Sequence, residues 1–317
     1  MKLIVQIPCY NEEETLPLVV NSIPRHIDGV DKIEVLVVDD GSHDNTYKVA
    51  RRLGVDHIVR HRTNKGLAVS FQDGINECIR QGADIIVNTD ADNQYPQSKI
   101  PQLIEPILSG KVDMVVADRQ TAKIEHFSKS KKALQWLGST MVRKFSQTTV
   151  PDAVSGFRAY SRDAILQLNI VTNFSYCIET IIQAQHKKMR IGSIQVVTNP
   201  PTRKSRLFKN SLQHIQKSTG TMLRVYAMYQ PLNVFLTLGL FLCLIGLFPA
   251  LRFLYFFLQG QGNGHVQSLI FASITIMVGF NIIVTGLVAD LISINRKLLE
   301  NALLRIKNIE INELPQE

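Results

Sequence analysis

Two stretches of this chain, Leu232 to Leu258 and Val266 to Leu291, consist almost wholly of apolar side chains. Each exceeds the ~20 residues that a helix needs to cross a bilayer. A chain with two such runs must place them in lipid or bury them in a large soluble core, and lipid is the expectation here. The remaining sequence, up to about Tyr226, has the regular charges of ordinary soluble α/β material. The expected division is therefore 1–228 as a globular domain and 229–317 as a membrane anchor, with spans at about 231–258 and 266–292. Met1 to Ile7 is too short for a signal peptide and leads straight into a strand pattern.

Charge sets the expected orientation. Arg203, Lys204, Arg206, Lys209, Lys217 and Arg224 precede the first run without an intervening acid, and Arg296, Lys297, Arg305 and Lys307 follow the second. The connecting QGQGNGH carries no Lys or Arg. Positive residues stay on the cytoplasmic side, so both termini are expected there, with only the connection outside. Much of the net charge of +8 is then directed at anionic headgroups, and no nucleic-acid motif competes for it. Cys9, Cys78, Cys177 and Cys243 are scattered, with no C-x-x-C, which indicates neither a disulfide framework nor a zinc site. The eight histidines lack metal spacing and read mostly as surface residues.

The first 120 residues alternate strand and helix signals. Strands are expected at Leu3–Ile7, Glu34–Val38, His57–Arg60, Asp84–Val87 and Met114–Ala117. Helices are expected at Glu13–Ser22, about Asn45–Leu53, Gly66–Gln81 and Ile100–Ser109. This order implies a mostly parallel, Rossmann-like sheet covered on both faces. Ser128–Gln147 and Phe208–Tyr229 read as amphipathic helices, basic on one side and apolar on the other, suited to a membrane surface. The leucine-rich tail from Ile292 could lie on the bilayer or meet another subunit.

In such a fold the ligand crevice lies at the carboxyl ends of the strands, and acids collect there in this sequence. The first strand leads into PCYNEEETL, where Pro8 stops the strand, Tyr10 can stack on a planar ring and Glu12 can accept hydrogen bonds. The second ends in VVDDGSHDNT, with Asp39 and Asp40 at the edge and Asp44 or Asn45 as a helix cap. The fourth is followed by TDADNQYP. Its Asp90 and Asp92 offer hard oxygen ligands on one short turn, as Mg²⁺ or Mn²⁺ carrying a diphosphate requires. Each acid alone could be turn or cap chemistry, whereas three acid-bearing strand ends would line one crevice.

Taken together, PCYNEEETL, VVDDGS, NKGLAVSFQDGI, TDADNQYP, ADR and DAVSGFRAYSRDA resemble family 2 glycosyltransferases, most closely the polyprenyl-phosphate hexosyltransferases that charge dolichol or undecaprenyl phosphate. The resemblance covers about Met1 to Arg224. It implies a GT-A catalytic domain followed by two transmembrane helices. It also implies donor-binding roles for Pro8, Tyr10, Glu12, Val37, Asp39, Asp40, Asp90, Ala91, Asp92, Gln94, Arg119, Arg203 and Lys209. Asp90, Asp92 and Gln94 match the metal set, and Asp92, Arg119, Arg203 and Asp152 are the implied catalytic group. Ser155 and Arg158 match an acceptor-side loop. Where many relatives carry Arg or Ser for the lipid phosphate, this chain offers Lys131, Lys132 and Gln135, so Lys131, Lys132, Ser155 and Arg203 are the acceptor-phosphate candidates.

The chemistry is coherent by itself. A leaving nucleoside diphosphate needs charge stabilisation, which a divalent ion with Arg119 and Arg203 would supply. A hydroxyl acceptor needs a general base, for which Asp152 and Glu179 are candidates. A phosphate acceptor is already anionic and needs cations instead. The expected activity is inverting transfer of one hexose, from GDP-mannose or UDP-glucose, to a polyprenyl phosphate at the cytoplasmic face. A processive polysaccharide synthase is the alternative enzyme, but the region around Trp136 lacks the Q-x-x-R-W motif. A non-catalytic scaffold on the same fold is the alternative of another class. A homo-oligomer through the spans is compatible with either.

Overall fold

The structure, a computed structural model, describes residues 1–120, 150–171, 176–200, 220, 224 and 226–313. Seven strands form one sheet: β1 (Lys2–Cys9), β2 (Lys32–Asp39), β3 (His57–Arg60), β4 (Ile85–Asn88), β5 (Met114–Asp118), β6 (Arg158–Ser161) and β7 (Ile191–Gln195). Their order is β3-β2-β1-β4-β6-β5-β7. Only β6 runs against its neighbours β4 and β5, so its amino end lies at the carboxyl edge of the others. The chain order reverses at β1, between β2 and β4, which opens the ligand crevice there.

Residues Leu3, Val5 and Ile7 of β1 face a core shared with α1 (Leu16–Ser22) and α4 (Ile100–Leu108). The alternate residue Gln6 faces the other layer, where α3 (Leu67–Arg80) crosses so closely that a Cβ on Gly74 would stand 2.7 Å from the Gln6 side chain. Both faces are thus covered, and β1 and β2 are buried almost throughout, as strands of a doubly covered sheet are. Among the described residues, the other α-helices of this part are α2 (Thr46–Arg52), α5 (Arg162–Gln167) and α6 (Tyr176–His186).

Pro8 does not stop the first strand, which continues to Cys9 in register with β2. The reason is local. Gln6 and Pro8 face β4, whose ladder ends at Asn88 with Thr89 N–H donating to the Gln6 carbonyl. The N–H that Pro8 lacks would have had no strand to meet. Helix α1 also starts later than expected, because Glu12 to Thr15 are used in a turn. Asp44, not Asn45, receives the Thr46 N–H at the start of α2.

The chain separates into two compact units, Met1–Leu223 together with Leu304–Glu317, and Arg224–Leu303. The second contains α7 (Pro231–Leu258) and most of α8 (Val266–Glu313). Both helices are long and apolar enough to cross a membrane, and only 11% and 17% of their most apolar windows are buried. A core helix of a soluble protein would be buried over most of its length. Helices α7 and α8 touch through small residues. A Cβ on Gly239 would stand 2.7 Å from the Gly279 carbonyl, and one on Gly286 would stand 2.6 Å from Phe235 Cβ. Gly239 and Gly246 on one helix, and Ala272, Gly279 and Gly286 on the other, recur every seven residues and let the backbones approach. At 48 residues and 1.5 Å per residue, α8 is about 70 Å long, over twice the ~30 Å hydrocarbon thickness. It therefore runs well beyond the expected end at 292. Most of the two expected amphipathic helices lies outside the described residues, although Tyr226–Tyr229 is helical.

Candidate active site

The three acid-bearing strand ends meet. Cys9, at the end of β1, is buried, and its thiol is pushed well up, first by that burial and then by the charges of Glu12, Asp39, Asp44 and Asp90. One buried atom thus feels carboxylates from the ends of β1, β2 and β4. From the other side, Tyr95 is held up at about 12 by burial, with Arg119, Asp90 and Asp152 all acting on it. The crevice therefore joins the Asp90 turn to the end of β5 and the loop before β6.

Asp90 is the most perturbed acid of the group, raised to about 7 by burial first and then by the charge of Asp92. Glu12 raises it further, while Arg119 and Arg158 partly oppose the rise. Its carboxylate rests against Gly156, where a Cβ would stand 3.0 Å from Asp90 Oδ2 and 2.9 Å from the Tyr176 hydroxyl. Beneath it Asn88 donates to the Gly156 carbonyl and to Tyr176 Oη, both at 2.9 Å, and accepts from Gln6 at 3.2 Å. Tyr95 Oη accepts the Gly156 N–H at 3.0 Å. Asp92 Oδ1 accepts the Gln94 N–H at 3.1 Å, closing an Asx turn. The Gln94 carbonyl accepts from the Asn199 N–H at 2.8 Å, so this loop is tied to the segment after β7.

Asp90 is driven towards its neutral form first by burial and then by the charge of Asp92, and two carboxylates so close could hold a cation between them. Among the described residues no group of three or more His, Cys, Asp or Glu side chains could hold a metal alone. Asp90 and Asp92 are the residues that could hold Mg²⁺ or Mn²⁺ together with substrate phosphates, because such ions favour one or two carboxylates plus phosphate oxygens.

Arg119 and Asp152 form a bidentate pair, Nε to Oδ2 at 2.6 Å and Nη2 to Oδ1 at 2.9 Å, and both are largely buried. Despite the opposing effect of burial, the guanidinium holds the Asp152 carboxyl below its usual range. Asp152 is therefore a poor base, and the pair acts to fix the Arg119 fork. Glu179, the other candidate base, is fully buried on α6 and accepts the Val171 N–H at 2.9 Å.

Several expected donor residues have other work. Asp40 accepts from His61 Nδ1 at 2.7 Å and from the Lys65 and Gly66 N–H groups at 2.8 and 2.9 Å. Both its oxygens anchor the loop before α3, which passes so near that a Cβ on Gly41 would stand 2.6 Å from the Thr63 carbonyl carbon. Val37 is fully buried in the core between two paired strands, which leaves it no surface for a donor. Ala91 also packs into the core, so only its backbone can face the crevice. Ser155 is fully buried, and its carbonyl accepts from Arg158 Nε at 2.6 Å. Arg158 itself is spent on Ser155, Ala153, Cys177 and Thr180, holding the loop before β6 in shape. Pro8 is buried, and Tyr10 stands half-buried edge-on to His43. Lys131, Lys132, Gln135, Arg203 and Lys209 lie outside the described residues.

Sequence reasoning missed the layer under the site: Gln6, Asn88, Tyr95, Gly156 and Tyr176. The signal was present in part, since Gln6 and Asn88 are polar residues inside otherwise apolar strands. It also placed most histidines at the surface, whereas His61 is buried between Asp40 and Asp73, 2.7 and 2.9 Å from their oxygens.

Comparison with known proteins decides the family. The profile of glycosyl transferase family 2 matches residues 4–168. The chain belongs to that family. This family 2 chain is 29% identical over 213 residues to a UDP-N-acetylglucosamine–dolichyl-phosphate N-acetylglucosaminyltransferase of Methanococcus voltae, covering 61% of this chain and 83% of the relative. It is 30% identical over 176 residues to an undecaprenyl-phosphate mannosyltransferase of Micrococcus luteus, covering 54% and 70%. Among solved structures it superposes on glucosyl-3-phosphoglycerate synthase of Mycobacterium tuberculosis in complex with Mn²⁺, UDP-glucose and phosphoglyceric acid. The TM-score is 0.57 at 21% identity, over 71% of this chain and 80% of that one. The family 2 catalytic unit thus has the expected GT-A fold.

Proposed function

We propose that this family 2 glycosyltransferase moves one sugar from a nucleoside diphosphate sugar to a polyprenyl phosphate, with inversion at the anomeric carbon, at the cytoplasmic surface of a membrane. The observation that carries the proposal is the crowded carboxylate pair, with Asp90 raised to about 7 beside Asp92 at the carboxyl edge of the sheet. A diphosphate-bound divalent cation is the natural complement of such a pair. That cation would be Mg²⁺ or Mn²⁺, and when bound it would offset the charge that builds on the leaving diphosphate.

The choice of acceptor follows from the bases. Asp152 is locked to Arg119 and Glu179 is buried on α6, so neither acid considered for proton abstraction is poised for it. An already ionised phosphate oxygen needs no base. Its lone pair forms the new bond to the sugar C1 as the bond from C1 to the diphosphate breaks, and the nucleoside diphosphate departs. Arg119, oriented by Asp152, supplies fixed positive charge near the crevice, and Arg203, Lys209, Lys131 and Lys132 are the proposed cations for donor and acceptor phosphates. Gln94, on the Asp92 turn, completes the proposed metal set. Two membrane-length helices and relatives named for dolichyl- and undecaprenyl-phosphate transfer support a lipid acceptor.

The test is to incubate the purified protein with undecaprenyl or dolichyl phosphate and labelled GDP-mannose, UDP-glucose or UDP-N-acetylglucosamine, with Mn²⁺ or Mg²⁺. Label is expected in a lipid-extractable, acid-labile product from one donor, and EDTA should abolish it. No lipid product from any of the three, from protein that still binds a nucleotide, would overturn the lipid acceptor.

A further inference from the structure

Helix α8 outlasts the bilayer. It starts at Val266, and at 1.5 Å per residue the ~30 Å hydrocarbon layer takes up ~20 residues. The stretch from about Ile292 onwards therefore stands in water. No glycine or proline interrupts it, and a continuous helix that crosses the membrane cannot also lie flat on it. The stretch has two opposite faces. Ser293, Arg296, Glu300, Leu304 and Lys307 are buried or half-buried. On the far side Leu298, Leu299, Ile306 and Ile309 are exposed by 62%, 70%, 51% and 56%. A contiguous apolar surface of this kind in water marks an interaction site.

The spacing says which partner fits. Ile292, Asn295, Leu299, Ala302, Ile306 and Ile309 follow one another at alternating three- and four-residue steps, the a and d positions of a coiled coil. On the shoulders of that seam Leu298 and Leu303 are five residues apart, and so are Arg305 and Glu310. In a parallel pair in register, a g residue meets the e residue five positions later on the other helix. Leu298 would then meet Leu303 of the second copy, and Arg305 would meet Glu310 of the second copy, opposite charges across the seam. Asn295 would meet its own counterpart only in that register. Two copies inserted in the same sense in one membrane bring these helices together in parallel. We propose that the extension of α8 beyond the bilayer pairs with that of a second copy of this chain as a parallel two-stranded coiled coil. This rests on α8 crossing the membrane and is independent of the sugar-transfer reading.

The full-length protein, in a Cys243→Ser background and in its native membrane, would carry one added cysteine. Leu299→Cys and Ile306→Cys lie in the seam, and Lys297→Cys lies on the face away from it. Mild oxidation should link the two seam variants into dimers at least about fivefold more than Lys297→Cys, because a disulfide needs Cα atoms within about 7 Å. Added to Leu299→Cys, Arg305→Glu should lower linkage by about threefold through like charges facing across the seam. Combining it with Glu310→Arg should restore the linkage. Equal linkage at all three cysteines, or a double charge reversal that links no better than the single one, would overturn the pairing. So would absence of linkage at the seam. Seam cysteines that neither link nor react with a water-soluble maleimide would assign this face to the bilayer. Linkage that vanishes in purified protein returned to vesicles would assign it to a different protein, and either result would overturn the proposal.

Discussion

The amino edge of the sheet and the Asp90 turn at its carboxyl edge treat their acids in opposite ways. At the amino edge Glu34 receives Lys2 Nζ and Lys32 Nζ, each at 2.7 Å, and His57 Nε2 at 2.8 Å. Its pKa falls to about 2, these partners outweighing the opposing effect of burial. Asp84 accepts the Lys2 N–H at 2.7 Å and Asp56 the Val35 N–H at 2.8 Å. At the carboxyl edge Asp90 is raised, Asp39 keeps an oxygen without a hydrogen bond, and Asp92 adds charge to its neighbour. Acids whose charge is matched within the chain hold the fold. In the proposed reading, the crowded pair Asp90 and Asp92 answers to a cation that arrives from outside.

The most direct way to break this contrast is Asp92→Ala. It should lower sugar transfer at least about 100-fold, the scale seen when one transition-state charge contact is removed, while the melting temperature holds or rises, because a repulsion is relieved. A large fall in melting temperature with little loss of transfer would place Asp92 with the amino-edge acids. Gly156→Ala comes next. The new Cβ would overlap the Tyr176 hydroxyl and the Asp90 carboxylate, which should cost about 1–3 kcal/mol in urea unfolding and reduce transfer by displacing Asp90. Full activity would mean that Asp90 need not stand where Gly156 lets it.

The same contrast explains what could be read from the sequence. The strands up to Met114, the helices between them and the gathering of acids at Glu12, Asp39 and Asp90 were legible because hydrophobic period and strand-end position are local properties. The anchoring role of Asp40 was not legible because its partners, His61, Lys65 and Gly66, lie more than twenty residues away and only the folded loop brings them together. Arg158 read as an acceptor contact for a similar reason: nothing local says that four groups of its own chain surround it. Val37 was assigned to the donor by family likeness, yet pairing on both sides puts it in the core. The glycines between the two long helices went unread because a seven-residue spacing of small residues acquires meaning only once the helices are known to be neighbours.

Glu34→Gln tests the satisfied edge. Removing the charge that faces Lys2, Lys32 and His57 should cost about 1–3 kcal/mol of stability at neutral pH, and leave transfer unchanged within about twofold. The folded-state pKa lies below the ordinary glutamate value of 4.5, so the stabilisation is present above that value and is lost as pH falls through 4.5 towards 2. The unfolding free energies of parent and variant should therefore converge over that acid interval. A constant gap would mean that Glu34 acts by packing.

The smallest effect is the mirror image at Asp90, measurable as a pH-dependent thermal shift. A carboxyl raised to about 7 in the folded state takes up its proton more readily there than in the unfolded chain. Its contribution to stability is then full below about 4 and is lost as pH rises through 7, where the ionised group must sit buried beside Asp92. A divalent cation reverses that loss only where the carboxylate is ionised, since binding competes with the proton. Mn²⁺ should therefore raise the melting temperature by several degrees at pH 8, by clearly less at pH 6, and by almost nothing in Asp90→Asn at either pH. An equal shift at both values, or one that survives Asp90→Asn, would mean that the cation binds elsewhere and that the surplus charge of the carboxyl edge is not kept for it.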